Sequence, residues 1–128
     1  MDVTPLIPVG RQVIESYGSG GFRVSGTSYA GSILVFGEMT QPWSVERFEN
    51  ADLASLSPVM ARGDIAILLL GCGRRMARVP EALRRALRAA GIVVDAMDTG
   101  AACRTYNVLL AEDRRVAAAL IPLPAQAG

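Results

Sequence analysis

The chain has 128 residues, 51% of them hydrophobic, with 13 basic and 12 acidic residues and a formal net charge of +1. That length fits a single domain built on one real core, and the near-neutral balance does not favour long-range attraction to nucleic acid or acidic lipid. Every cation is arginine: without histidine or lysine there is no Ser-His-Asp triad, no Cys-His pair, no imidazole metal ligand, no Schiff-base amine and no phosphate-loop lysine.

The strongest apolar runs, Ile65–Leu70 and Val116–Ile121, fall far short of the roughly 20 residues that a membrane helix needs. The opening Met1-Asp2-Val3-Thr4-Pro5 is neither a basic leader nor an Arg/Ser-rich transit peptide, so a cytoplasmic protein is expected. Two cysteines, 31 positions apart and without a CxxC pair, suit free thiols in a reducing compartment better than a disulfide, zinc or iron–sulfur site.

Residues 1–12 mix Pro5, Pro8 and Gly10 with isolated apolar residues, an irregular lead-in. Val13–Tyr17 is β-prone, the Gly18-Ser19-Gly20-Gly21 turn follows, and Phe22–Ser25 alternates before a turn at Gly26. Ser32–Phe36 reads as a third strand that Gly37-Glu38 turns toward Thr40–Val45, making the first third a β-meander. Asn50 or Asp52 caps a short helix running to Met60. Ile65–Leu70 is a continuous apolar run of the kind covered on both faces, hence a central strand.

After Gly71-Cys72-Gly73, Pro80 is placed as the first helical residue, and Leu83, Ala86, Leu87 and Ala90 recur at helical spacing until Gly91. Ile92–Met97 is the next strand. Asp98 or Thr99 caps a helix on which Ala102, Tyr106, Leu109 and Leu110 share a face, and Val116–Ile121 is the last strand before Pro122. Strands alternating with helices imply a compact α/β domain over 13–123, with a mixed, largely parallel sheet, the meander as an extra layer, and a short tail at 124–128.

Four groups of residues carry candidate chemistry. Gly71, Cys72 and Gly73 at a strand end, with Arg74 beside them, read either as a tight exit turn or as a small-anion site where backbone N–H groups converge. Asp98, Thr99, Cys103, Arg104, Tyr106 and Asn107 lie at the next strand-to-helix junction, which parallel topology brings to the same sheet edge; the two loops then share a pocket. The alternative is that Asp98 or Thr99 caps the helix and that Tyr106 and Asn107 bond internally. Cys103, near a helix start and beside Arg104, and Cys72, on an open-looking loop, are candidate thiols of lowered pKa, or else inert buried cysteines. Arg74, Arg75, Arg78, Arg84, Arg85 and Arg88 face only Glu81; they form either the wet side of an amphipathic helix or a contact for an acidic surface. Trp43 is either core or an exposed contact.

Several of these segments, in this order, resemble one known family: Ser32-Ile33-Leu34-Val35 with Trp43, Leu68–Gly73, Met97-Asp98-Thr99, Ala102–Asn107 and Glu112–Leu120. It is the domain family that includes mitochondrial respiratory complex I assembly factor 3 and the adipogenesis-associated domain protein, and the resemblance spans about residues 13 to 123. It implies a compact α/β fold with a mixed sheet, no cofactor and no general enzymatic activity, and, for the mitochondrial relative, a noncatalytic part in building a membrane-bound respiratory complex with a protein partner. Without a mitochondrial leader, this chain resembles a bacterial member.

The expectation is therefore a non-enzymatic interaction module with no metal, no catalytic residue and no membrane span. Its candidate protein contacts are Trp43, Arg84 and Arg88. The alternatives are a small-ligand or anion site between Gly71–Gly73 and Asp98–Arg104, and a thiol-dependent enzyme.

Overall fold

Eight strands and three helices are described by a computed structural model over residues 10–124, so most of the lead-in and the last four residues of the tail lie outside it. In chain order they are β1 (Ile14–Gly18), β2 (Gly21–Val24), β3 (Thr27–Ala30), β4 (Ile33–Val35), β5 (Thr40–Pro42), α1 (Ser57–Arg62), β6 (Ile67–Gly71), α2 (Glu81–Ala89), β7 (Val93–Met97), α3 (Thr99–Ala111) and β8 (Val116–Leu120).

Two sheets form. β1, β2 and β3 make an antiparallel meander, and a second sheet of five strands runs β5-β4-β8-β6-β7. Within the larger sheet, β6 pairs in parallel with β7 and β8, while β4 pairs antiparallel with both β5 and β8. The sheet is mixed, as expected, but half of its pairings are antiparallel. The reason is that Ser32–Phe36 does not continue the meander: β4 crosses to the main sheet, and Thr27–Ala30, with no apolar run of its own, takes the third place beside β2. The expected central strand is interior, next to the edge strand β7, and the centre belongs to β8.

Every residue of β8 is buried, and its sequence Val-Ala-Ala-Ala-Leu keeps the middle of the sheet thin. Larger side chains come from its neighbours. One face carries Leu34, Leu68, Leu70, Val94, Ala117 and Ala119 beneath Leu83 and Leu87 of α2 and Leu56 and Val59 of the segment before β6. The other carries Ile33, Val35, Leu69, Val116, Ala118 and Leu120 beneath α3, with Ile14, Phe22 and Val24 of the meander completing the layer. Alternation of large and small residues across adjacent strands lets both layers approach closely, and each fully buried Leu contributes about 2 kcal/mol of transfer free energy.

Local chemistry shifts several boundaries. The helix expected to end at Met60 is two 3-10 turns, 48–50 and 54–56, followed by α1, because Pro58 begins a helix well but cannot sit inside one. Pro80 is extended (ψ 138°) and precedes α2 as its N-cap instead of opening it. Asp98, not Thr99, caps α3: its side chain accepts the N–H of Ala101 at 2.9 Å. At the other end of α3, Asp113 has φ 59°, and the N–H groups of Arg114 and Asp113 bond the carbonyls of Leu109 and Leu110, a Schellman arrangement with aspartate where glycine is usual. Between Gly10 and Gln12 the lead-in is irregular and tied down: Gln12 N–H donates to Gly37 O, and Tyr106 Oη donates to Gln12 O at 2.9 Å.

Candidate functional site

Parallel pairing of β6 and β7 puts Gly71 opposite Met97, so the Gly71–Gly73 turn and the start of α3 leave the same sheet edge. They meet through direct hydrogen bonds and not across an open cleft. Thr99, fully buried, accepts the Gly73 N–H at 2.8 Å through Oγ1 and donates to Ile121 O at 2.6 Å. Its own N–H bonds Gly73 O at 2.8 Å, and Cys72 N–H bonds Met97 O at 2.9 Å. One threonine thus ties the ends of β6, α3 and β8. Gly71 is needed there: a Cβ would lie 2.8 Å from Leu120 Cδ2 and 3.2 Å from Thr99 Cα.

The remaining residues of that junction point inward or pair locally. Cys103 and Tyr106 are buried in the layer under α3. Tyr106 Oη shares its one proton between the carbonyls of Gln12 and Phe36, and Asn107 accepts the N–H and donates to the C=O of Ile14. These are the internal bonds that the sequence left open as an alternative. Arg104 stays at the surface, where Nη1 donates to Tyr17 Oη at 2.6 Å, and both lie over Gly100, whose missing Cβ leaves room for the Tyr17 ring.

Cys72, Gly73 and Arg74 do line a groove, of about 410 Å³, but its other wall is the segment 46–49 and the stretch Ile121–Pro124 after β8. Sequence reasoning missed that wall, since nothing local to Glu46–Glu49 or Pro122–Pro124 marks them as neighbours of the Gly71–Gly73 turn, which is distant from both in the chain. The Gly18–Gly21 turn was visible, but not its hold on the segment after β8, where Gly20 N–H donates to Leu123 O at 2.8 Å.

Neither thiol is activated. Burial pushes the Cys103 thiol up to about 12; Arg104, which acts in the opposite direction, is outweighed. Cys103 also sits in the second turn of α3, not at its first N–H groups. Cys72, half-buried, is likewise shifted upward by burial, against the lowering effect of bonds from the Ala77 and Met97 backbone. Among the described residues no cluster of three Cys, Asp or Glu side chains is placed to hold a metal ion, and no helix is long and apolar enough to cross a membrane.

Two of the three expected protein contacts change character. Trp43 is 6% exposed and donates Nε1–H to Ser55 O at 2.9 Å, so it is core. Arg84 is half-buried and donates to Val94 O at 3.2 Å, capping the outer edge of β7. Arg88 is exposed in the last turn of α2, and Arg85 lies 3.7 Å from Glu81 one turn earlier. A second groove, about 390 Å³, opens at the opposite end of the sheet, where Arg11 pairs with Asp113 and Arg62 with Glu38 and Asp64.

A mixed five-stranded sheet with α3 and a three-stranded meander on one face and α2 on the other, its strand ends laced by a buried threonine, defines a one-domain α/β protein whose polar junction is structural. The chain belongs to the family described as proteins of unknown function (DUF498/DUF598), whose model matches residues 14–121. It is 41% identical over 111 residues to an uncharacterized protein of Rhodobacter capsulatus, covering 87% of this chain and 85% of that protein. It is 37% identical over 110 residues to NADH dehydrogenase [ubiquinone] 1 alpha subcomplex assembly factor 3 of Xenopus tropicalis, covering 85% of this chain but only 60% of that protein. The crystal structure of a Bartonella henselae protein, called an outer membrane protein, superposes with a TM-score of 0.83 at 42% identity over 89% of this chain and 97% of that one.

Proposed function

We propose that this chain is a non-enzymatic interaction module that assists assembly or maturation of a membrane-bound respiratory complex, acting from the cytoplasm. The observation that carries the reading is its 37% identity, across most of its own length, to a protein named as an assembly factor for NADH dehydrogenase. The site supports it: the polar side chains at the sheet edge bond to the fold's own backbone, and the thiols are held in their protonated form near neutral pH. Such a domain works through its surface.

The test is deletion of the gene in its own host, with membrane complexes resolved on native gels and respiratory subunits quantified by mass spectrometry. The expected result is a loss of assembled NADH dehydrogenase with accumulation of unassembled subunits, restored by the wild-type chain. Normal amounts of every respiratory complex in the deletion strain would overturn the proposal.

A further inference from the structure

The two sheets end in four edge strands, β1, β3, β5 and β7. A strand edge carries unpaired N–H and C=O groups that another extended chain can take up, and folded proteins cover or charge their edges for that reason. Three of the four are guarded. Asn107 takes both the N–H and the C=O of Ile14 at the start of β1. On β5 the bond from Trp43 N–H to Ser32 O sets Pro42, which has no N–H, in the outward phase of the strand. On β7 Arg84 covers Val94 O, and Asp95 adds an exposed charge.

β3 has no such guard. Its sequence Thr27-Ser28-Tyr29-Ala30 holds no charge and no proline, it pairs with β2 without a bulge, and Thr27, Ser28 and Ala30 are exposed. The two-residue turn Ser25-Gly26 fixes the phase of the hairpin: Val24 and Phe22 exchange hydrogen bonds with Thr27 and Tyr29, and the bond from Gly31 N–H to Gly20 O at 2.9 Å continues the series. Ser28 and Ala30 therefore turn their N–H and C=O groups away from β2, and among the described residues these groups have no partner.

We propose that β3 pairs with β3 of a second copy of this chain, antiparallel about a two-fold axis at Tyr29, joining the two meanders into one continuous sheet. The edge is its own complement. With Ser28 of each copy opposite Ala30 of the other, every outward N–H of one strand meets an outward C=O of its mate. The axis then falls on a non-hydrogen-bonded pair, the closer kind, with Tyr29 against Tyr29. Tyr17, Phe22 and Tyr29 already stand side by side across β1, β2 and β3 on the core face, and Tyr29 is only half-buried; a second copy doubles that aromatic row and covers its open end. A foreign strand would share the backbone bonds, but the second copy also supplies the matching tyrosine. On the outer face Ala30 is backed by Gly21 and Gly18, small residues that leave the approach clear, and Arg23, beside Ser28, is turned to Glu15 at 3.5 Å. So short an edge makes a weak, transient pair, of the class that buries less than roughly 1,200 Å² in total.

The test is sedimentation of the full chain over rising concentration, with amide exchange read by NMR at both ends of the range. The expected result is a monomer–dimer equilibrium in which the Ser28 and Ala30 amides gain protection on association and those of Val94 and Ala96 do not. Ser28→Pro removes an N–H that β2 does not use and should weaken association by about tenfold or more. Should that variant misfold, two charged ones replace it: Ser28→Glu with Ala30→Glu, and Ser28→Arg with Ala30→Arg, should each stay monomeric alone and pair when mixed, because position 28 of one copy faces position 30 of the other. A monomer at every concentration up to about 1 mM, association indifferent to Ser28→Pro, protection at β7 instead of β3, or charged variants that do not pair when mixed each overturn the proposal. So does a chain that stays monomeric alone while its Ser28 and Ala30 amides become protected in host lysate, which assigns the edge to a foreign strand.

Discussion

The hydroxyl of Thr99 accepts the backbone N–H of Gly73 at 2.8 Å, joining two loops that leave adjacent parallel strands, and donates a hydrogen bond to Ile121 O. Thr99→Val keeps the volume and leaves both backbone groups buried without that partner. The expected loss is about 2–4 kcal/mol in urea unfolding, whereas Thr99→Ser, which keeps the hydroxyl, should lose roughly half of that or less. Equal losses in the two variants would mean that the methyl group, and not the hydrogen bonds, holds the junction.

Cys103 makes stability fall in alkali. Its thiol titrates near 12 in the fold against 9.0 ordinarily, so between those values the unfolded chain releases a proton that the folded chain keeps. Stability is unaffected below pH 9 and declines above it by up to about 1.4 kcal/mol per pH unit. Burial also raises the Tyr106 phenol above its ordinary 10.0, which deepens the decline at higher pH. Urea titrations from pH 8 to 10.5 should show this slope, and Cys103→Ala should remove its first part. A flat profile would show that the thiol ionises in place.

The same burial predicts chemical silence. Burial keeps Cys103 in the thiol form at pH 8, so iodoacetamide should label Cys72 slowly and Cys103 only through unfolding. Rapid native labelling at Cys103, read by peptide mass spectrometry, would return thiol chemistry to consideration.

Asp113 occupies the left-handed position after α3 and pairs with Arg11 at 2.7 Å, its side chain 88% exposed. Glycine relieves the backbone conformation, and an exposed ion pair contributes roughly 0–1 kcal/mol, so Asp113→Gly should be neutral or gain up to about 1 kcal/mol. Asp113→Val should lose about 1–2 kcal/mol because a β-branched residue resists that conformation. A loss above 2 kcal/mol in the glycine variant would show that Arg11 depends on this carboxylate to hold the lead-in.

β7 is an edge strand whose Val93 and Met97 backbone groups turn toward β6, leaving those of Val94 and Ala96 facing outward. Arg84 covers the Val94 carbonyl, and Asp95 adds an exposed charge, both devices that discourage pairing with another chain. Arg84→Ala with Asp95→Val should raise the sedimentation mass with concentration at levels where the parent does not change. An unchanged mass would show that the edge is guarded by something else.

The family resemblance, the α/β class and the order of nearly all elements were legible in the sequence, because each rests on local pattern: the six-residue apolar run before Gly71, the helical spacing of Leu83 and Leu87, the glycine turn at 18–21. Thr27–Ala30 was not, since a strand with three exposed residues has no periodicity to show and exists only because β2 offers it an edge.

What only the tertiary structure decided is pairing over long separations. Ile33 lies opposite Leu120 and Leu70 beside Ala119, and these choices place β8 at the centre, bury Trp43, and turn Thr99 from one of two capping options into a knot between strand ends. Sequence reading brought Gly71–Gly73 and Asp98–Arg104 to one edge correctly, but whether two such loops enclose a cavity or touch depends on distances of a few ångströms. Those distances are fixed by how the small side chains of β8 let the layers close, a property of the packed core that no single segment carries.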